Sequence, residues 1–262
     1  FDTKIDYTMS SIIGLDGLHP TLKIIKYTKI IAIANKEAII CGWNLIEKKL
    51  KLYDTKFLPV DSEHFSIWKI LKSKKQKNIN QIFLTASGGP FLNKSINQIK
   101  KVKISEALKH PTWKMGKKIS IDSATMMNKV FEVIETKNIF SVSYKNIDIL
   151  VHPKSYIHAI VKFKDGTSQL LAHEPSMIIP IFNTLYLNEN KKLESKKLDI
   201  NILNNLNLKK IDKNIFPAIK VLKYLPNKTS LFETVVVSAN DELVNLFLKN
   251  KINFHEISRN IL

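Results

Sequence analysis

Asp61 and Glu63 stand two residues apart at the end of an apolar run, KFLPV (56–60). In extended backbone that spacing sets both carboxylates on one side of the chain. A second set lies in HPTWKMGKKISIDSATMMNKVFEVIE (110–135). At 100° per residue, Asn128, Lys129 and Glu132 fall within one arc of about 100°, and Met126, Met127, Val130, Phe131, Val133 and Ile134 take the opposite side. A helix this apolar on one side packs into a core, so its amide, amine and carboxylate face something other than bulk water. Three carboxylates from separate stretches (Asp61, Glu63 and Glu132) suit an oxygen-liganded Mg²⁺ or Mn²⁺. Cys and His pairs with zinc spacing are missing, which disfavours zinc. Ser87, Ser123, Asn128, Lys129 and His110 supply the hydroxyl, amide and cationic donors that a phosphate monoester needs. Taken alone, Asp61-Ser62-Glu63 is most often a helix cap with an acidic first turn, and only its place at a strand's carboxyl end weakens that reading.

The elements that must position these residues read as alternating strands and helices. SSIIG (10–14) reads as a short strand, Pro20-Thr21-Leu22 as the opening of a helix to about Lys26, and KIIAIA (29–34) as a continuous apolar strand. Asn35-Lys36-Glu37 then turns into the helix AIICGWNLIEKKL. Buried-type strands alternating with helices mark a parallel α/β sheet, whose ligands gather at the carboxyl ends of strands. Asn35, Lys36 and Glu37 lie at such an end, though as plain cap and first-turn residues they need no further explanation. Residues 73–80 read as a solvated loop, and QIFLTA (81–86) as a strand ending in Ser87-Gly88-Gly89-Pro90. Two glycines there let backbone N–H groups approach an anion, although SGGP is also an ordinary turn. Within 110–135 the expectation is a mobile loop, a short strand (Lys118 to Ile121), and a helix entered through Asp122-Ser123-Ala124-Thr125. IDILVHP (147–153) and YIHAIVKFKDGTSQLLA (156–172) read as strands, with Asp165-Gly166 as a hairpin turn. Residues 188–210 are the best linker candidate, and residues 216–262 read as helical.

Composition narrows the class. A chain of 262 residues that is 44% hydrophobic and 24% charged can bury a real core. No apolar run approaches the roughly 18 residues of a membrane span, and no basic-then-apolar leader opens the chain. One cysteine, Cys41, excludes an intramolecular disulfide and suits a reducing compartment. The net charge of +18 raises the question of nucleic acid. The excess is nearly all lysine spread along the chain, with Arg259 near the end, and no RNA- or DNA-binding signature accompanies it. A phosphorylated small molecule is the partner this field suits, with no nucleic acid and no membrane. No complete Gly-rich nucleotide-binding fingerprint is present.

ANKE (34–37), LPVDSEH (58–64), SGGPF (87–91) and ALKHPTWKMGKKISIDSATMMNK (107–129), followed by EVIE (132–135), resemble the 1-deoxy-D-xylulose 5-phosphate reductoisomerase family. VHPKSYIHAIV (151–161) and HEPSMIIPI (173–181) continue the likeness more loosely. The resemblance implies an NADPH-dependent enzyme of non-mevalonate isoprenoid biosynthesis that makes 2-C-methyl-D-erythritol 4-phosphate. It implies a metal (Mn²⁺ or Mg²⁺, with Co²⁺ a further candidate) on Asp61, Glu63 and Glu132. Substrate would be held by Lys36, Ser62, Glu63, Ser87, His110, Trp113, Ser123, Asn128, Lys129 and Glu132, with Lys36 and His110 also in catalytic roles. Asn35, Glu37 and Gly116 would touch NADPH, and His110 to Met115 would form a flap with Trp113 closing over the substrate. The implied architecture is α/β: the tail end of a Rossmann-like parallel sheet (1–34), a catalytic domain (35–187), a linker (188–210) and an incomplete C-terminal helical domain (211–262). A homodimer is expected, in bacterial cytoplasm or, in a eukaryote, a plastid. Val130-Phe131 stands where the family usually has Gly-Leu, and Ser176 where Asp is usual. Because the family's Gly-rich cofactor turn precedes the stretch matched here, a non-catalytic phosphosugar- and metal-binding remnant is the alternative.

Overall fold

A computed structural model describes residues 3–72, 74, 76–111, 113, 115–187 and 189–262. The chain is a mixed α/β protein built on two sheets. The first is parallel, in the order β1 (Ile5–Ser10), β2 (Thr28–Ile33) and β3 (Lys56–Pro59). Helix α1 (Leu18–Ile24) links β1 to β2, and α2 (Lys36–Leu52) links β2 to β3. Buried Ile31, Ile33, Ala38, Ile39 and Ile46 join β2 to α2, which is why the run KIIAIA is apolar throughout. The first strand lies earlier than the expected SSIIG. Only Ser10 of that segment pairs, because Ile5–Ser10 matches the register of β2 and residues 11–14 turn away at Gly14, whose φ is 74°.

Helix α3 (Ser62–Leu71) leads to the second sheet, and β4 (Ile79–Ala86) is its central strand. The expected solvated loop therefore ends at Asn78, since Ile79 is buried and pairs with Phe163; Ser73 and Lys75 lie outside the described residues. Short helices α4 (Ile96–Ile99) and α5 (Ile104–Ala107) follow, then α6 (Lys117–Thr125) and α7 (Met127–Phe140). The sheet is completed by β5 (Ile147–Val151), β6 (Ile157–Phe163) and β7 (Ser168–Ala172). Beyond them lie α8 (Ile178–Leu185), α9 (Ile200–Asn204), β8 (Lys209–Lys210), α10 (Phe232–Leu248) and α11 (Phe254–Ile261). The sheet order is β7-β6-β4-β5-β8; β4 and β5 are parallel and the other pairs antiparallel. The hairpin at Asp165-Gly166 is present, with Gly166 at φ 86°. The stretch expected as a linker carries α9 and β8, and β8 pairs with β5; Asn188 lies outside the described residues.

The expected strand at Lys118 to Ile121 is helix. Lys118 pairs with Asp122 one turn on, Ser120 Oγ donates to the Gly116 carbonyl, and Ile121 and Ala124 are buried. An alternating four-residue pattern is too short to outweigh those helical contacts. The break falls at Met126, whose φ of 67° reverses the chain between α6 and α7. Asp122-Ser123-Ala124-Thr125, expected as a helix entry, is instead the last turn of α6, and the N-cap of α7 is Met126. Of the four, Thr125 still reaches the next helix, its Oγ1 accepting from Met127 N at 3.3 Å. The apolar side of α7 is packed as expected: Met127, Val130, Phe131, Val133 and Ile134 belong to the largest core, with β4, β5 and β6. The departures Val130 and Phe131 are fully buried there, and Ser176 accepts from Ile178 N at the start of α8.

Candidate functional site

Three strand ends and three helix starts meet at one cleft of about 290 Å³. Lys36 follows β2, Asp61 follows β3 and Ser87 follows β4, while α2, α3 and α7 begin beside it. The first turn of a helix leaves backbone N–H groups unpaired and attracts anions. Helix α7 begins at Met127; its N-cap, Met126, offers no side-chain acceptor, and Thr125 Oγ1 takes only the first of its N–H groups. Asp61, Ser62, Glu63, Lys36, Ser87, His110, Trp113, Ser123, Asn128, Lys129 and Glu132 all border the cleft. Every residue expected to bind metal or substrate is thus in one place.

The carboxylates and ammonium groups interlock. Asp61, Glu63 and Glu132 each offer an oxygen, all within 4.8 Å of one another. Lys36 Nζ is 3.1 Å from Asp61 and donates to Asn128 Oδ1 at 2.6 Å. Asn128 Nδ2 in turn donates to Glu132 at 2.5 Å. Lys129 Nζ is 2.6 Å from Glu63 and also contacts Glu132, and Ser62 Oγ donates to Glu63 at 2.6 Å. Burial opposes the charge on Lys36 and Lys129, yet the adjacent carboxylates outweigh it and hold both ammonium groups ionised. Burial likewise opposes the Glu63 anion, but Lys129 beside it holds its carboxyl well below the usual range. Glu132 goes the other way: burial and the nearby Glu63 charge push it up to about 8. With Glu132 protonated, the two ammonium groups balance Asp61 and Glu63; ionising Glu132 would leave one negative charge for a cation to neutralise. An all-oxygen donor set of this kind fits a divalent hard cation.

A second group, Asp61, His64 and Glu135, also brings one ligand atom from each residue within 4.8 Å. Both His64 and Glu135 are buried behind the cleft and do not border it. His64 Nε2 faces the Glu132 carbonyl at 2.9 Å, so this ring buttresses α7. Its burial lowers its pKa, and burial raises that of Glu135 well above the usual carboxylate range.

Across the cleft, His110 Nδ1 accepts from Trp113 N at 2.9 Å, which places the neutral ring's proton on Nε2. Nε2 lies 3.4 Å from Ser87 Oγ, and burial lowers the His110 pKa, favouring that neutral form. Thr112 and Lys114, within the expected flap, lie outside the described residues. Gly89, at φ 62°, lets the SGGP turn approach Ser123: a Cβ there would stand 3.0 Å from the Ser123 carbonyl oxygen. The turn thus packs on the end of α6, and Ser87 and Ser123 both line the cleft.

The three residues expected at NADPH are placed differently. Asn35 is buried, accepting from Ala38 N at 2.8 Å and donating to the carbonyls of Ile12 and Gly14. Glu37 is buried and paired with Lys118. Gly116 starts α6 with open space beside it. None of the three borders the cleft. Two of them therefore have their polar groups committed within the chain. Sequence reasoning missed Ser155 and His158, which do border it. Ser155 reaches the site through a φ of 50°, which no motif announces. His158 follows an inward position of β6; its ring stacks on His173 at 3.8 Å, and burial with that neighbour lowers it to about 4. Alternation along β6 was its signal, hidden among apolar neighbours.

Fold and cleft together define a class: an α/β protein with a cleft in which three clustered carboxylates stand beside hydroxyl, amide and ammonium donors. Models of 1-deoxy-D-xylulose 5-phosphate reductoisomerase match residues 2–42, and models of its C-terminal domains match residues 57–140 and 173–262. The enzyme of that name from Pelagibacter ubique is 62% identical over 261 residues, covering 100% of this chain and 67% of the relative. Its counterpart from Sulfurihydrogenibium is 44% identical, covering 98% and 68%. The reductoisomerase from Zymomonas mobilis in complex with NADPH superposes with a TM-score of 0.89 at 35% identity, covering 98% of this chain and 66% of that one. A reductoisomerase with NADPH, fosmidomycin and magnesium gives 0.87 at 32% identity, covering 98% and 65%. The chain spans about two thirds of the length of these relatives. It belongs to the 1-deoxy-D-xylulose 5-phosphate reductoisomerase family.

Proposed function

We propose that this chain carries the metal- and substrate-binding centre of a reductoisomerase that converts 1-deoxy-D-xylulose 5-phosphate into 2-C-methyl-D-erythritol 4-phosphate. The observation that carries this reading is the convergence of Asp61, Glu63 and Glu132 with Lys36, Lys129, Ser87, Ser123 and Asn128 on one cleft. When bound, a divalent ion would supply Lewis-acid polarisation of substrate oxygens, and NADPH would supply the hydride. Asp61, Glu63 and Glu132 would hold the ion. Lys36 and Lys129, already paired with these carboxylates, would turn their remaining N–H donors toward the substrate. Ser87, Ser123 and Asn128, beside the start of α7, would hold the phosphate. His110, with its proton on Nε2, would donate to a substrate oxygen, and Trp113 beside it would exclude water. Gly116 is the residue whose placement best suits contact with NADPH.

Residues 1–34 would form the tail of the cofactor-binding domain, 35–187 the catalytic domain, 188–210 a linker and 211–262 a helical domain; β3 of the second segment pairs with β2 of the first. Exposed Ile178 and Leu185, seven residues apart on α8, support a homodimer. Among the described residues no helix is long and apolar enough to cross a membrane. The single cysteine and the bacterial relatives support the cytoplasm. The test is NADPH oxidation by the chain with 1-deoxy-D-xylulose 5-phosphate and Mn²⁺, beside Asp61→Asn. Metal-dependent turnover abolished by the substitution is the expected result; neither turnover nor Mn²⁺-dependent substrate binding would overturn the reading.

A further inference from the structure

Away from the cleft, one ionic junction takes no part in the chemistry proposed above. Lys118 Nζ lies 3.1 Å from Glu37, 2.9 Å from Asp122 and 3.0 Å from Asp241. Glu37 is in the first turn of α2, Asp122 is one turn along α6, and Asp241 is midway along α10. Asp122 is buried, and its Oδ1 also accepts from Asn240 Nδ2 of α10 at 2.7 Å. The Lys118 ammonium sits 5.0 Å from the ring centroid of Phe131, which is fully buried on α7. A single side chain therefore touches four helices. Burial opposes its charge, and the three carboxylates more than offset this, holding it ionised.

The junction's neighbours along the chain face the cleft. Lys36 immediately precedes Glu37, and Ser123 immediately follows Asp122. Backbone within a helical turn is stiff, so fixing Glu37 against Asp122 fixes where Lys36 and Ser123 stand. Of the cation carboxylates, Asp61 and Glu63 stand at the start of α3, which Lys118 does not touch. Glu132 follows Phe131 on α7 but has its own partners there, Asn128 and Lys129. Among the described residues, no hydrogen bond or ion pair joins Lys118 to Asp61 or Glu63.

We propose that Lys118 is a positioning residue. Its ammonium clamps α2, α6 and α10 together and so sets Lys36 and Ser123 at the separation that seats the substrate. The inference rests on the reading of the cleft given above. It predicts a split: substrate recognition depends on Lys118, while cation affinity does not.

The experiment compares Lys118→Met, Lys118→Arg and Asp241→Asn with the unsubstituted chain, measuring KM, kcat and Mn²⁺ affinity. Lys118→Met should raise KM for 1-deoxy-D-xylulose 5-phosphate about tenfold, equivalent to roughly 1.4 kcal/mol, with Mn²⁺ affinity within twofold. Lys118→Arg keeps the charge and should restore most of the loss. Asp241→Asn removes a half-exposed partner without stranding the buried Asp122, and should raise KM by a smaller factor. Unchanged KM in both Lys118→Met and Asp241→Asn overturns the proposal. So does a parallel loss of substrate and Mn²⁺ binding that arginine does not rescue, because that describes general loosening. If the unsubstituted chain binds substrate without turnover, only the activity assignment fails, and calorimetric substrate affinity reads the same tenfold change. If it binds no substrate at all, both readings fall.

Discussion

With Glu132 among the proposed cation ligands, cation binding should release a proton. The Glu132 carboxyl sits at about 8 because it is buried against Glu63, while an ion can be held only by the carboxylate. At pH 7 a group with that pKa is about nine-tenths protonated, so each Mn²⁺ bound should expel about 0.9 proton. The same arithmetic weakens apparent affinity at pH 7 about tenfold from its high-pH limit, or roughly 1.4 kcal/mol. Affinity should therefore rise about tenfold per pH unit below pH 8 and level off above it. The assay is calorimetry of Mn²⁺ binding at pH 7 in two buffers of different ionisation enthalpy, whose difference in apparent heat counts protons released. Glu132→Gln should abolish both the release and the pH slope, with weaker binding throughout. For the metal-free chain the sign is fixed by the raised pKa: Glu132 costs stability as pH rises from its ordinary 4.5 to about 8. Glu132→Gln should then be the more heat-stable protein at pH 8 when no metal is present. Proton release near zero, or affinity flat from pH 6 to 8, would refute the reasoning.

Two further outcomes follow from packing. Gly89→Ala forces a left-handed backbone on alanine and places Cβ 3.0 Å from the Ser123 carbonyl oxygen. A cost of about 1–2 kcal/mol should appear as a rise in substrate KM with Mn²⁺ affinity retained, measured by steady-state kinetics and calorimetry. Phe131→Ala empties a fully buried site between α7 and the second sheet. It should lower unfolding free energy by about 3–5 kcal/mol, read from the urea midpoint at unchanged slope; a loss below about 1 kcal/mol would mean the core collapses around the gap.

The cleft was partly legible in sequence because several of its residues sit where local rules are strong. Asp61 and Ser87 follow apolar runs, and Asn128, Lys129 and Glu132 share one arc of a helix, so period and strand ends marked them as candidates. Their convergence, and the places of His110 and Trp113, came only from the family resemblance. The α6 segment was misread because its helix is fixed by tertiary contacts. Lys118 pairs with residues 81 positions before it and 123 after it, and Ile121 packs against α10 and α11 residues. Local alternation carries none of that. The ion pair between Glu37 and Lys118 was equally out of reach of local pattern, since it joins residues 81 positions apart. The strand expected at 10–14 slipped because β1 is half-exposed and mixed in polarity, so the apolar Ile12-Ile13 that follows it drew the reading forward.

The central claim is that Asp61, Glu63 and Glu132 form the cation site, and anomalous diffraction from crystals grown with Mn²⁺ tests it most directly. The account predicts a strong peak about 2.1 Å from an oxygen of each of the three carboxylates, with Lys129 moved off Glu132 to admit the ion. A peak at Asp61, His64 and Glu135 instead, or no peak with Lys36 and Lys129 still paired to these carboxylates, would contradict it.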